Sequence, residues 1–336
     1  MRINGSRAAV ASLATAALLA LSACGGESLN TSASSADSSA AAGGKSVLIS
    51  SQPEGDAFGD LVFSGLQKLN GETGIEVKQI AGVQPSAYEQ QVRAAVQQGY
   101  NPVVVLWDDL ANVVTSLAPS FPDTNFMIVD SYIDPKLANV ETVVIDPTQA
   151  AYLAGIYAGN ATKTGTIGFV GGAEQPVIEK YRCGYLAGAE AAKPGVKLLT
   201  SYSGSFTDPT KGQQVANSQI SQGADVLMHA ANKSGLGVLQ AAAAAKKTGI
   251  GVDFWQGDVA AGSVPWSALK DAGTGTYTAA KNATSGNFKS GIFTWGAQEG
   301  AELFDQRDLD GLPADLKPKM QTAIDDLKAG KITLNC

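Results

Sequence analysis

Residues 165–225 alternate short, unbroken apolar runs with longer segments of helical spacing. Residues 166–170 are apolar, a glycine pair follows, and a helical segment opens near Pro176. Residues 196–202 form a second apolar run, followed by a polar loop holding Phe206. A helical segment then runs from Pro209 to Gly223, before a third apolar run at 226–228. The order is β-α-β-α-β. Strands without a polar face suit a parallel sheet covered on both sides. Ligands of such sheets sit beyond the carboxyl ends of the strands. Gly171, Gly172, Ser205, Phe206 and His229 therefore fall where a ligand is expected.

The alternation extends in both directions. Residues 46–50 read as a strand, and Phe58, Leu61, Val62, Leu66 and Leu69 as a helix ended by Gly71 and Gly74. Strand 75–80 precedes a helix that Ser86 should open, with Glu89 at capping-box spacing. Strand 102–106 ends at Trp107, a helix covers 109–117, and strand 126–129 ends at Asp130. After strand 142–145, Asp146-Pro147 reads as the start of helix 147–160. Helix 237–247, strand 249–253, strand 267–270, helix 277–285, strand 291–295 and helix 316–328 complete the pattern. Residues 332–334 are expected to close the sheet. An α/β chain of 336 residues is long for one compact unit, so two lobes are expected.

Composition narrows the class. The net charge is −7, and removal of residues 1–23 would take away Arg2 and Arg7 but no acid. Nucleic acid is a poor partner for such a surface. Residues 1–23 read as an export signal, with a basic start and an apolar stretch over 8–21 too short and alanine-rich for a membrane span. Leu21-Ser22-Ala23-Cys24 resembles the lipobox of bacterial lipoproteins, which implies a lipid on Cys24 and attachment to the cell membrane from outside. Residues 24–44 are mostly Ser, Ala and Gly and read as a tether. Cys183 and Cys336 then remain. In an oxidising compartment they allow a disulfide between the last strand and a helix of the second lobe, or two free thiols.

The stretch TGTIGFVGG…PVI…GYLAGA, with SYSGSFTDPTKG, QGADVLMHAANKSGLGV and GVD, closely resembles the basic membrane protein (BMP) family. These are lipid-anchored substrate-binding proteins of ABC transporters, mostly for purine nucleosides. The likeness runs from about Val47 to Leu334. It implies a type I periplasmic-binding-protein fold: two doubly wound parallel-sheet lobes joined by a three-crossover hinge. One lobe would hold residues 45–146 and 271–303, the other 147–270 and 304–336. The resemblance also implies site residues. Phe58 and Phe206 match aromatics on the two faces of the base, and Asp130 a carboxylate at its edge. Asp253 and Lys270 match the pair that holds the ribose hydroxyls. Three features depart from the family pattern. Gly59 stands where the family has Asn, which leaves Asp60 as a substitute contact; Asn232-Lys233 replaces a glycine pair; and Phe254 and Trp255 are bulkier than usual.

The residue types fit that chemistry. A purine is a flat π surface, and vicinal hydroxyls suit one carboxylate and one ammonium. Each residue also has a plainer reading. Phe58 lies on the apolar stripe of its helix, strand-end carboxylates often cap turns, and Lys270 fits a solvated surface. Trp107 suits the cleft or the hinge. His229, the single histidine, has no ligand-spaced partner for a metal and reads as a hydrogen-bonded strand end. Gly171-Gly172 lack a phosphate-loop Lys or Ser and read as sites of close backbone approach. No catalytic set is present in the sequence. The expectation is a monomeric, cofactor-free, non-enzymatic binding lipoprotein that delivers a purine nucleoside to a membrane permease. A sugar or other ring-bearing solute on the same fold, and a surface sensor, are the alternatives.

Overall fold

Two all-parallel sheets carry the chain. The computed structural model describes residues 44–336; the signal, Cys24 and tether expectations lie outside the described residues. The elements are β1 (Lys45–Ile49), α1 (Ala57–Thr73), β2 (Glu76–Ile80), α2 (Tyr88–Gln97), β3 (Val103–Leu106), α3 (Trp107–Leu117), β4 (Phe126–Val129) and β5 (Val140–Ile145). Next come α4 (Thr148–Ala161), β6 (Thr166–Gly171), α5 (Pro176–Ala192), β7 (Lys197–Tyr202), α6 (Pro209–Ser221), β8 (Val226–Ala230), α7 (Lys233–Ala244), β9 (Thr248–Asp253) and β10 (Trp266–Leu269). The chain ends with α8 (Ala272–Thr284), β11 (Gly291–Trp295), α9 (Gln306–Asp310) and α10 (Lys317–Lys328).

The first sheet has the order β11-β5-β4-β3-β1-β2 and the second β10-β9-β8-β6-β7. Every pairing is parallel. Strand order reverses beside β1 in one sheet and beside β6 in the other, the place where open α/β sheets hold ligands. The chain passes from the first lobe to the second at Asp146, where the carboxylate accepts from the Thr148 amide at 2.8 Å. It returns at Asp271, which caps α8 by accepting from Thr274, and α8 packs on α1. It crosses a third time after β11, and α10 packs on α4.

Strands β3, β4 and β8 are buried throughout, which explains their unbroken apolar runs. The helices differ more from the sequence reading. Helices α7 and α8 begin at Lys233 and Ala272, earlier than the expected 237 and 277. Their first turns are glycine-rich, which reads locally as loop. Tertiary packing requires those glycines. A Cβ on Gly237 would lie 1.8 Å from the Pro209 carbonyl of α6, and one on Gly273 of α8 2.8 Å from the Ser64 hydroxyl and 3.1 Å from the Leu61 carbonyl of α1. Gly71 does not end α1, which continues to Thr73 and is capped by Gly74 at φ 74°. Ser86 opens no helix: residues Pro85–Ala87 form a 3₁₀ turn without a side-chain cap, and α2 starts at Tyr88. Pro85 sets that turn in place of the expected capping box.

The C-terminal expectation needs a larger correction. Residues 332–334 form no strand. Ile332 and Leu334 pack on the core from an extended tail, and alternating residues report extended backbone without saying what it pairs with. The tail is held instead by Cys336, which is disulfide-bonded to Cys183 of α5, and by Lys180, whose ammonium donates to the Cys336 carbonyl. The bridge therefore ties a tail, not a final strand, to α5.

Candidate functional site

Loops at the carboxyl ends of the strands converge from both lobes on a cavity of about 460 Å³, well within the ~300–1,000 Å³ of small-molecule sites. Phe58, Trp107, Asp130, Phe206, Asp253 and Lys270 all line it. Asp60 does not. Its side chain lies on the exposed side of α1, 3.5 Å from the Gln79 amide of β2. The helical turn carries position 60 away from the cleft, so Asp60 does not take the contact that Gly59 lacks.

Each lining residue is set by its strand or cap. Asp56 caps α1 through the Gly59 amide at 3.0 Å, which fixes Phe58 in the first turn. Phe58 belongs to the core and lines the cavity at once. Its ring stacks on Trp107, with centroids 5.7 Å apart and planes 15° apart. On the other lobe, the Phe206 ring lies against Gly172. A Cβ there would sit 2.2 Å from a ring carbon, so the close approach expected at the glycine pair is made by this side chain. The Gly172 amide meanwhile donates to the Ala230 carbonyl, which extends the β6–β8 ladder.

The polar groups also contact one another directly. Lys270 contacts Asp130 across the cleft at 2.6 Å, with both side chains almost wholly buried. The sequence does not say which strand-end carboxylate comes nearest the ammonium. The other Asp130 oxygen accepts from Trp107 Nε1 at 3.0 Å. Asp253 instead accepts from the Tyr181 hydroxyl at 2.6 Å. Burial pushes the Asp253 carboxyl above its ordinary range, against the pull of Lys270 and the Tyr181 hydrogen bond. Burial, with the neighbouring Asp253 charge, also pushes the Tyr181 hydroxyl well up and keeps it protonated.

Backbone strain collects at the site. Trp107, Asp130, Asn232 and Asp253 all have positive φ, at 59°, 61°, 46° and 67°, and all four line the cavity. Each such non-glycine residue costs ~1–3 kcal/mol and persists where surrounding structure holds it, most often at functional sites. Asp108 and Asp109 also line the cavity, so its carboxylates outnumber the one ammonium of Lys270. The cavity favours hydrogen-bond donors and disfavours anions.

Sequence reasoning missed Tyr181 and Tyr132. Tyr181 is one helical turn beyond Val177 and Ile178, which also line the cavity; α5 starts at the end of β6, so that face was legible from its spacing. Tyr132 carried no signal beyond its place after Asp130. Trp255 is turned to other partners: its Nε1 donates to Asp308 at 2.9 Å, and Arg307 covers its ring at 3.7 Å. His229 is fully buried and pairs through Nε2 with the Gln256 side-chain oxygen at 3.0 Å. That oxygen also accepts from the Val252 amide, so Nε2 is assigned the proton. Burial lowers its pKa to about 4, leaving it neutral. Among the described residues, no cluster of His, Cys, Asp or Glu could hold a metal ion.

Known proteins share this architecture and sequence. A solute-binding protein of an Aeropyrum pernix ABC transporter matches with a TM-score of 0.74 at 22% identity, over 86% of this chain and 92% of that one. Another from Conexibacter woesei gives 0.70 at 24% identity, over 87% and 98%. These likenesses establish the type I periplasmic-binding-protein fold. In sequence, the ABC transporter nucleoside-binding protein BmpA of Lactococcus lactis is 32% identical over 267 residues, covering 74% of this chain and 75% of that protein. Basic membrane protein A of Borreliella burgdorferi is 30% identical over 268 residues, covering 77% and 78%. The Bmp profile, described as "ABC transporter substrate-binding protein PnrA-like", matches residues 45–324. With its two lobes and lined cleft, the chain belongs to the Bmp family of ABC transporter substrate-binding proteins, a family of solute binders rather than enzymes.

Proposed function

We propose that this protein captures a purine nucleoside between its lobes outside the cytoplasm and delivers it to a membrane permease. One observation carries the reading: Phe58, Trp107 and Phe206 share a single cavity with Asp130, Asp253 and Lys270. A flat heteroaromatic ring gains ~1–3 kcal/mol from each aromatic face it meets, and the carboxylates suit ring donors and sugar hydroxyls. The printed name of the Lactococcus relative supports the same class.

In this reading, residues 45–146 with 271–303 move as one lobe, and 147–270 with 304–336 as the other. Hinge closure around the solute is the usual motion of binding proteins. The protein acts as a monomer anchored by lipid on Cys24, after loss of residues 1–23, with residues 25–44 as the tether. Calorimetry of the purified protein with adenosine, guanosine, inosine, cytidine and ribose tests the assignment. Heat with purine nucleosides is expected. Silence toward every nucleoside would end the proposal, and tighter binding of ribose would replace it with a sugar reading.

A further inference from the structure

A polar contact across the cleft involves none of the residues used above to hold a nucleoside. Asn232, between β8 and α7, donates from Nδ2 to Asp56 Oδ2 at 2.9 Å. Asp56 belongs to the first lobe, in the loop after β1, and is 3% exposed. Its other oxygen caps the Gly59 amide. One carboxylate therefore both starts α1 and takes a hydrogen bond from the opposite lobe.

The Asn232 backbone explains why this contact stands out. Its angles are φ 46° and ψ −126°, a conformation that glycine adopts freely and asparagine does not. Its side chain makes no cap bond on its own helix, α7. The strained asparagine serves a partner across the cleft. Phe58 lies two residues beyond Asp56, so whatever holds Asp56 also holds the ring. Another contact across the cleft, Lys270 with Asp130, adjoins the crossover at Asp271. Asn232 instead ties loop to loop.

We infer that Asn232 is a positioning residue for the bound solute: its amide holds the start of α1, and with it Phe58, against the opposite lobe, and slows solute escape. This rests on the reading that the solute is held between the lobes. It predicts an effect mainly on dissociation, because a contact that holds the two loops together opposes the opening through which solute leaves.

The test uses the full chain and a reversed pair. Asn232→Asp sets two carboxylates against each other and should raise the dissociation rate of adenosine or guanosine about tenfold or more, with little change in association. Adding Asp56→Asn restores one amide and one carboxylate across the cleft, still caps α1 through its side-chain oxygen, and should return the rate to within about threefold of the starting protein. Asn232→Gly should also speed release without lowering the melting temperature, because it relieves the backbone. Hydrogen exchange of segments 51–60 and 230–236 without added solute reads the clasp independently of any ligand. N232D should raise exchange there, and the double variant should restore it. Unchanged exchange and dissociation in N232D would overturn the inference, as would a double variant of normal melting temperature that fails to recover. If the starting protein binds no nucleoside, the nucleoside reading fails, while the exchange result still decides the clasp.

Discussion

Gly172→Ala offers a sharp test of how the cavity wall is built. The substitution adds one methyl group, and the backbone at this position does not have a positive φ, so the change is steric. The new Cβ would lie 2.2, 2.4 and 2.7 Å from three carbons of the Phe206 ring. Distances that short force a shift, and the ring, on a polar loop, moves more readily than the β6–β8 ladder that holds Gly172. Phe206 should therefore swing off its seat while the sheet stays intact. If the ring stacks on a purine, the loss is that of one aromatic face, ~1–3 kcal/mol, or roughly 5–150-fold in affinity. Calorimetry with adenosine and guanosine measures it, beside Phe206→Ala and the double variant. The double variant should bind no worse than F206A, because both changes act through one ring. Additive losses, or wild-type affinity in G172A, would refute this reasoning, and a collapse in melting temperature would show that Gly172 serves the sheet instead.

Three further outcomes are expected. Glu141 is buried in β5, one carboxylate oxygen has no partner, and burial raises its pKa to about 7 despite attraction from Lys289. The folded state then holds a proton that the unfolded state releases above its ordinary value of 4.5, so stability should fall between those pH values by about 3 kcal/mol; Glu141→Gln should flatten that slope in denaturant titrations, and an unchanged slope would disprove the assignment. Replacing Cys183 and Cys336 with serine opens a link across 153 positions, and the denaturation midpoint should fall by an amount equivalent to ~2–5 kcal/mol; an unchanged midpoint would mean the tail is held by packing alone. Because the cavity carboxylates outnumber Lys270, adenosine monophosphate should bind at least about tenfold more weakly than adenosine, and equal affinities would contradict that charge argument.

Much of the architecture and half of the site's logic could be read along the chain. Unbroken apolar runs such as 103–106 and 226–228 arise because both faces of a parallel strand are covered, so burial writes itself into local composition. Cavity-lining residues at strand ends, such as Asp130 and Asp253, could be located because ligands of open parallel sheets sit beyond the strands' carboxyl ends. The glycine-rich starts of α7 and α8 were not legible. Those glycines answer to neighbouring elements, Gly237 to the Pro209 carbonyl and Gly273 to Ser64 and the Leu61 carbonyl, and no local propensity records them. Nor were the partners: Lys270 with Asp130 and Asn232 with Asp56 meet only when two separate sheets face each other, and Tyr181 meets Asp253 only when α5 packs beside the end of β9. Sequence alone determined most of the strands, 332–334 excepted, and which strand ends carry polar residues toward the cavity, because those depend on neighbours within a few residues. The tertiary structure alone decided which charge meets which and where residues 332–334 rest, because those depend on distances between segments a hundred or more positions apart.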